Sequence, residues 1–150
     1  MMHMHHSNGP ATLPCMCSAL RKTTRAVTRL YEDVMDGADM SVLQFSVLRH
    51  LADHGDLPLS RLAALLVMDR TTLYRTLGPI TREGWAKVAD GKGRAKIASI
   101  TPEGMAAMEA STAAWVRAQD KLLMLMGAQK WGILQGALTD LSTRIADSEE

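Results

Sequence analysis

The sequence has few of the features that mark secreted, membrane-spanning or disulfide-stabilised proteins. Only two of its 150 residues are cysteines, and aromatic residues make up 4%. No apolar run approaches the roughly 18 residues that a membrane-spanning helix requires, and no signal-peptide pattern is present. Cys15 and Cys17 do not make a disulfide framework, so we expect a cytoplasmic protein that does not enter a membrane.

Motifs of catalysis and metal binding are also scarce. A phosphate-binding glycine loop, a nucleophile elbow and a paired-carboxylate motif are all missing, so we expect neither enzyme activity nor a cofactor. His50 and His54 are spaced i, i+4 on a predicted helix, but no third ligand is evident beside them, so no metal site is predicted. Residues 1–14 are polar, rich in histidine and interrupted by two prolines, which predicts a disordered tail.

The chain does contain enough apolar residues to fold as one unit. Hydrophobic residues make up 47% of the sequence, and eleven of them are methionines. With so few aromatic side chains, the core must be built mainly from Leu, Ala, Met and Val. We therefore predict a single domain over residues 15–150.

The centre of the chain has the pattern of two helices separated by a tight turn. The first helix starts near Pro58 and Ser60. Its apolar positions are Leu62, Leu65 and Leu66. Asp69 then stands at an N-cap position, and Pro79, inside the second helix, is expected to kink it by removing a backbone amide. The inward positions of this second helix are Leu73, Leu77, Ile80 and Gly84.

After the second helix the hydrophobic period changes to two. Lys87 and Ala89 alternate with Val88, and the same alternation recurs over residues 96–100. The intervening Asp90-Gly91-Lys92-Gly93 is typical of a hairpin turn. Two helices followed by a two-stranded wing predict a winged helix-turn-helix over about residues 57–101. The predicted fold class is mainly α with a small β-hairpin wing.

The second of these helices has the side chains that a DNA-reading helix needs. Thr71 and Arg75 lie opposite the inward face, flanked by Thr72 and Tyr74, and such groups reach base edges and phosphates in a major groove. From Asp69 to Lys96 the local charge is +4, whereas the remainder carries −3. This concentration of positive charge favours duplex DNA, with a protein-interaction module as the alternative. The predicted DNA-binding residues are Arg70, Thr71, Thr72, Tyr74, Arg75, Lys92, Arg94 and Lys96.

Long amphipathic helices flank the winged segment, over about residues 15–36 and 102–147. In the last helix, apolar residues recur with helical spacing from Trp131 to Ile145. A DNA module of fewer than 50 residues does not need these helices to fold. We therefore predict that they form a dimerisation layer shared by two copies of the chain.

A series of short motifs runs through the chain in a fixed order. They are Gln44-Phe45, Leu62-Ala63, Met68-Asp69-Arg70-Thr71-Thr72 with Arg75, Gly84-Trp85, Arg94-Ala95 and Ile100-Thr101-Pro102-Glu103-Gly104. Each motif is weak alone, but their order and spacing are specific. Over about residues 15–147 the chain thereby resembles the MarR family of transcriptional regulators.

The resemblance implies a triangular homodimer whose two winged modules straddle a near-palindromic DNA operator, usually to repress nearby genes. It places the polar face of the second helix in the major groove and Arg94, at the wing tip, in the minor groove. Many relatives have an aspartate two residues before this arginine to brace it. Here Lys92 occupies that position, and Asp90 is the nearby carboxylate that could brace Arg94 instead.

Two effector mechanisms follow from the same resemblance. In the family, small aromatic or lipophilic ligands bind between the dimer layer and the winged module, and a subgroup senses organic peroxides through a cysteine at the start of the first helix. Cys17 falls at about that position, Tyr31 lies where a tyrosine would bond the oxidised sulfur, and Cys15 is a candidate resolving thiol. Two other tyrosines of the sensors are replaced by Arg21 and Val42. The remaining alternative is that both cysteines are small buried apolar residues at the dimer seam.

Overall fold

The computed structural model describes residues 13–149, which form six helices and three short strands. In chain order they are α1 (Met16–Val34), α2 (Val42–His54), β1 (Leu57–Pro58), α3 (Leu59–Leu66), α4 (Arg70–Arg82), β2 (Ala86–Asp90), β3 (Lys96–Ile100), α5 (Pro102–Met126) and α6 (Ala128–Ser148). This architecture confirms the predicted fold class. The predicted disordered tail lies almost wholly outside the described residues. Within them, no helix is long and apolar enough to cross a membrane.

Helices α2, α4 and α5 each begin at a residue whose side chain caps the helix, and Asp69 of α4 is the cap predicted above. At the start of α2, the Ser41 hydroxyl accepts from the Gln44 amide at 3.2 Å, and the Gln44 side chain accepts from the Ser41 amide at 2.9 Å. At the start of α5, the Thr101 hydroxyl accepts from the Gly104 amide at 3.0 Å. These bonds satisfy amides that a helix cannot pair internally, so the local sequence fixes where each helix starts.

The sheet has one strand more than the sequence predicts. Its order is β1-β3-β2, with both pairs antiparallel, and Leu57 of β1 pairs with Ala98 of β3. The predicted two-stranded wing is present as the β2–β3 hairpin. The sequence does not predict β1, because two residues are too few to show an alternation and their pairing depends on a partner about 40 residues away along the chain. The extra strand ties the wing to the start of α3.

The spacing predicts Gly84 on the inward face of α4, but this prediction is wrong. Helix α4 ends at Arg82, and Gly84 follows it with a φ of 75°, a conformation that side chains with a Cβ rarely adopt. The Trp85 amide donates to the Ile80 carbonyl at 3.0 Å, which closes the helix in a Schellman-type end. The helix runs through Pro79 to this point. The kink at Pro79 stays a prediction.

The core lies where the winged segment meets α2 and α5. Leu48, Leu51, Leu62, Leu73 and Ile80 are completely buried at 0% exposure. At the edge of this core the Phe45 and Trp115 rings stack with centroids 5.4 Å apart, and the Arg49 guanidinium lies 5.3 Å from the Trp115 ring. These contacts join α2 to α5, so the winged segment is anchored on the long helix that follows it.

A second junction joins the end of α4 to the start of α5. It gives a structural reason for two of the motifs, Gly84-Trp85 and Ile100-Thr101-Pro102-Glu103-Gly104. Gly104, in the first turn of α5, packs against the backbone of Trp85, and a Cβ at Gly104 would lie 1.9 Å from the Trp85 carbonyl oxygen. Next to this contact, the Thr101 hydroxyl donates to the Gly84 carbonyl at 2.5 Å, and the Thr101 amide donates to the Trp85 carbonyl at 3.0 Å. The end of α4 and the start of α5 are thereby held together.

Candidate nucleic-acid interface

The two faces of α4 are sharply different. Leu73, Leu77 and Ile80 are no more than 3% exposed, so they hold the helix on the core. The side chains predicted to read DNA lie on the other side and are exposed: Arg70, Thr71, Thr72, Tyr74 and Arg75. The structure therefore brings these five residues onto one accessible surface, as predicted. Among the hydrogen bonds within residues 13–149, none involves the guanidinium groups of Arg70 or Arg75.

Asp69 caps the first turn of α4, which carries this surface. Its carboxylate accepts from the Thr72 amide at 2.7 Å. This bond, together with the Thr72 side chain and the positive charge of Arg75, holds the pKa of Asp69 below its usual range. The cap remains ionised at neutral pH and keeps the start of α4 regular, so Thr71 and Thr72 have fixed directions.

The wing presents the remaining predicted residues at its tip. Lys92, Arg94 and Lys96 are all exposed. Asp90 does not brace Arg94, because its carboxylate is paired with the ammonium group of Lys96 across the hairpin. This pairing lowers the pKa of Asp90 and raises the pKa of Lys96. In the part of the chain that the structure describes, no ion pair involves Arg94 or Lys92.

The wing and α4 enclose a small cleft with polar walls. We call it the helix–wing cleft. Its lining residues are Pro58, Leu59, Ser60, Arg70, Tyr74, Arg94, Ala95 and Lys96. Four of the eight predicted DNA-binding residues thus meet in one place. Sequence analysis missed Ser60 as a member of this surface, because it was assigned only to a helix start. The signal that could have placed it there is the β1–β3 pairing, which is not visible in the local pattern.

The terminal helices carry a second accessible surface, which is apolar. Helix α6 has no buried residue, and Leu134, Leu138, Leu141 and Ile145 are each 37–51% exposed. Of these four, Leu134 and Leu138 line, together with residues of α1 and α5, a cavity of about 410 Å³, which we call the terminal groove. Apolar residues exposed in a row along one helix mark a surface that another molecule covers.

The cysteines lie at the start of α1, and neither is buried in this chain. Cys15 is the N-cap residue, and its sulfur accepts from the Ser18 amide at 3.5 Å. Cys17 is exposed beside Leu141 and Ile145 of α6. The alternative that both cysteines are buried at a dimer seam stays a prediction, because the residues that would cover them there belong to a second copy of the chain.

Tyr31 does not lie near the cysteines of its own chain. It is on the same helix as Cys17 but 14 residues later, a separation of about 21 Å along a helix axis. Its hydroxyl donates to the side-chain oxygen of Gln119 on α5, and burial raises the pKa of the Tyr31 phenol. The expected bond from Tyr31 to an oxidised Cys17 cannot form within one chain.

The histidine pair on α2 is held by the helix backbone. The Nδ1 atoms of His50 and His54 lie 2.7 and 2.9 Å from the carbonyl oxygens of Ser46 and His50. Over residues 13–149 no three side chains of the metal-binding types cluster. The pair therefore has a structural explanation that needs no metal ion.

No protein-family model matches the sequence, and no curated protein is significantly similar to it. Among solved structures, the M. tuberculosis transcriptional regulator MosR in complex with DNA is similar with a TM-score of 0.80 and 25% identity, over 90% of this chain and 98% of that chain. A mutant of MarR from E. coli, complexed with operator DNA, gives 0.75 and 18%, over 84% and 92%. BpsR of Bordetella bronchiseptica, whose DNA binding is regulated by 6-hydroxynicotinic acid, gives 0.76 and 16%, over 95% and 99%.

These neighbours share one winged-helix architecture with this chain over most of their length. The two that are below 25% identity show a likeness of fold alone. The neighbours described here are transcriptional regulators rather than enzymes.

Proposed function

By its fold this chain is a MarR-family winged-helix protein, and we propose that it is a transcriptional regulator that binds duplex DNA sequence-specifically. The observation that carries the proposal is the exposed face of α4. Thr71, Thr72 and Arg75 project from a helix whose other side is completely buried, so the fold presents them rigidly. A rigid helix with hydroxyl and guanidinium groups in its first two turns suits a major groove.

The wing supports the same function. Its tip has two cations without an ion-pair partner among the described residues, Lys92 and Arg94. We assign Arg94 to the minor groove beside the major groove that α4 enters, because narrow minor grooves attract guanidinium groups. The DNA complexes of MosR and MarR have the same fold as this chain, and this likeness favours a DNA-binding role for it over a protein-interaction role.

The functional unit in this proposal is a homodimer. A second copy of the chain is the occupant that fits the terminal groove, since each copy would bring one exposed apolar α6 stripe and one groove. Burying these side chains would remove them from water in both copies. Two winged modules related by a twofold axis predict a palindromic operator with half-sites about one helical turn apart.

Regulation would follow from the arrangement of the dimer layer. We propose repression that is released by a small aromatic or lipophilic effector. BpsR supports this class of ligand, because its DNA binding is regulated by a small aromatic acid. The Phe45–Trp115–Arg49 junction between α2 and α5 is the element that such a ligand would disturb, since it couples the winged segment to the dimer layer.

The test is selection of a duplex from a random pool, followed by titration at two ionic strengths. We expect a palindromic site and an affinity that falls steeply with salt. Arg75→Ala should cost about 1–3 kcal/mol and relax sequence preference if the guanidinium reaches a base. Arg117→Ala, an exposed arginine on α5 outside the interface, is the matched control and should change little. A monomer that prefers no sequence, or a complex insensitive to salt, would contradict the proposal.

A second candidate mechanism of regulation, redox control, rests on the start of α1. The Cys15 sulfur accepts a helix amide, and both cysteines are exposed at the start of α1, where an oxidant can reach them. Oxidation of Cys17 to a sulfenic acid would place a polar group beside Leu141 and Ile145 of α6. Organic hydroperoxide should then release DNA from the wild type but not from Cys17→Ser, and a thiol reductant should restore binding. Release from Cys17→Ser as well would exclude this mechanism.

A further inference from the structure

The helix–wing cleft has the charge and shape of an oxyanion site. Arg70 from α4 and Arg94 and Lys96 from the wing all line it, and no acidic residue does. Its volume is about 150 Å³. A concave site lined by cations concentrates field lines, so it attracts an anion more strongly than the same charges on a flat surface.

Most of the side-chain donors in the cleft have no hydrogen-bond partner among the described residues. Among the hydrogen bonds within residues 13–149, none involves the side chains of Ser60, Arg70, Tyr74 or Arg94. Lys96 gives one of its three ammonium protons to Asp90, which holds the side chain in place and leaves two protons free. The Asp90 carboxylate therefore fixes the direction of Lys96 and is not itself among the cleft residues.

The helical spacing separates the cleft from the base-reading surface. Arg70 and Tyr74 are four residues apart, so they lie on one side of α4, towards the wing. Thr71 and Arg75 are also four residues apart, one position further round the helix, and neither lines the cleft. The predicted DNA-binding residues of α4 thus form two adjacent rows. Arg70 and Tyr74 line the cleft, whereas Thr71 and Arg75 lie outside it.

We propose that the helix–wing cleft binds one phosphate of the DNA backbone in each half-site, with Ser60, Arg70, Tyr74 and Lys96 as its donors. This inference rests on the proposed DNA-binding function. The bound phosphate fixes the distance between α4 in the major groove and the wing in the minor groove, so Arg94 at the rim is positioned by it. The four donors set position and affinity, while Thr71, Thr72 and Arg75 set sequence preference.

The first test needs no knowledge of the operator. Lys96→Gln removes one charge from the cleft, and Lys92→Gln removes one charge from the same wing outside the cleft. On a random duplex, both should reduce the slope of log affinity against log salt by about one, if both touch phosphates. Tyr74→Phe and Ser60→Ala, which change no charge, should weaken binding to selected and random duplexes by the same factor. A loss confined to the selected duplex would make them base contacts and overturn the assignment.

The second test uses a neutral methylphosphonate at each backbone position of the selected duplex in turn. For the wild type we expect one position per half-site at which the substitution weakens binding tenfold or more. In Lys96→Gln that sensitivity should fall to threefold or less, whereas in Lys92→Gln it should remain. Equal sensitivity in all three proteins would exclude the phosphate from the cleft. Failure of the wild type to bind any duplex would instead defeat the DNA-binding function itself.

Discussion

The winged segment and α6 are built on opposite principles. From Leu57 to Ile100, apolar side chains such as Leu62, Leu73 and Ile80 are completely buried, and the surface is polar and basic. In α6 no residue is buried, although the helix has a regular apolar stripe from Leu134 to Ile145. The first region satisfies its hydrophobic pattern within one chain. The second has the same kind of pattern, but its side chains from Leu134 to Ile145 stay 37–51% exposed among the residues that the structure describes.

This difference separates two kinds of information in one sequence. The pattern in the winged segment specifies an intramolecular core, whereas the pattern in α6 stays exposed within residues 13–149. A hydrophobic stripe alone does not distinguish the two, because the period is the same. What distinguishes them is whether neighbouring elements return to cover the stripe.

The comparison can be tested first at two glycines. At Gly104 a Cβ would meet the Trp85 carbonyl oxygen at 1.9 Å, so Gly104→Ala should destabilise the protein by about 3 kcal/mol or more. At Gly136 in α6 a Cβ meets nothing within 4 Å, so Gly136→Ala should stabilise it by about 0.5–1 kcal/mol through helix propensity. Urea denaturation of both variants measures the difference. Similar destabilisation by both would mean that the Gly136 face of α6 is also tightly packed.

The second test concerns association. Leu138 is 39% exposed and lines the terminal groove, so Leu138→Glu should dissociate the proposed homodimer while the helical circular dichroism remains. Binding to a palindromic site should weaken about 100-fold, because the second module loses its effective concentration. Thr139→Glu, next in sequence but outside the groove, is the control and should stay dimeric. A Leu138→Glu protein of unchanged mass in sedimentation would place the interface elsewhere.

A smaller effect is expected at the turn between α3 and α4. Val67 has a φ of 52° and is 88% exposed, so it has backbone strain without packing to offset it. Val67→Gly should raise the free energy of unfolding by up to about 1 kcal/mol. Val67→Ala keeps the unfavourable conformation and should gain less. If Val67→Gly lowered the melting temperature, the Val67 side chain would have to be packed against a second copy of the chain.

The smallest effect is a pH dependence at the start of α4. The pKa of Asp69 is lowered in the folded protein, so its contribution to stability is present above its unfolded pKa and is lost as pH falls through the folded value. The melting temperature of the wild type should therefore fall more than that of Asp69→Asn below about pH 4. Asp90→Asn serves as a comparison, since the Asp90 pKa is lowered by Lys96 in the same range. If the melting temperatures of wild type and Asp69→Asn fell in parallel with pH, the ionised Asp69 cap would contribute nothing to the stability of the protein.

The parts of the structure that could be predicted from the sequence are those that local patterns determine. The caps at Ser41, Asp69 and Thr101 are single side chains that bond to amides three residues away, so their positions are visible in sequence. The exposed face of α4 follows from the burial of Leu73 and its neighbours at helical spacing. These features were predicted because cause and effect lie within a few residues.

The parts that could not be predicted depend on distant partners. The β1 strand exists because Leu57 pairs with Ala98, and Gly84 leaves the inward face because α4 is closed by the Trp85 amide. Ser60 joins the helix–wing cleft only through that strand pairing. Tyr31 bonds to Gln119 on α5, a partner 88 residues away that no spacing within α1 indicates. At the candidate interface, the residue types on α4 and the wing could be predicted, whereas the cleft between them could not.

The opposed faces of α4 also have a consequence for how this protein can change over generations. Because the side chains of Thr71, Thr72 and Arg75 contribute little to the core, their replacement leaves folding almost untouched. Under the proposed DNA-binding function, a few exposed substitutions would change the bases that are recognised while Leu73, Leu77 and Ile80 keep the scaffold intact. Duplicated copies of such a gene could acquire separate targets without first acquiring compensating stability.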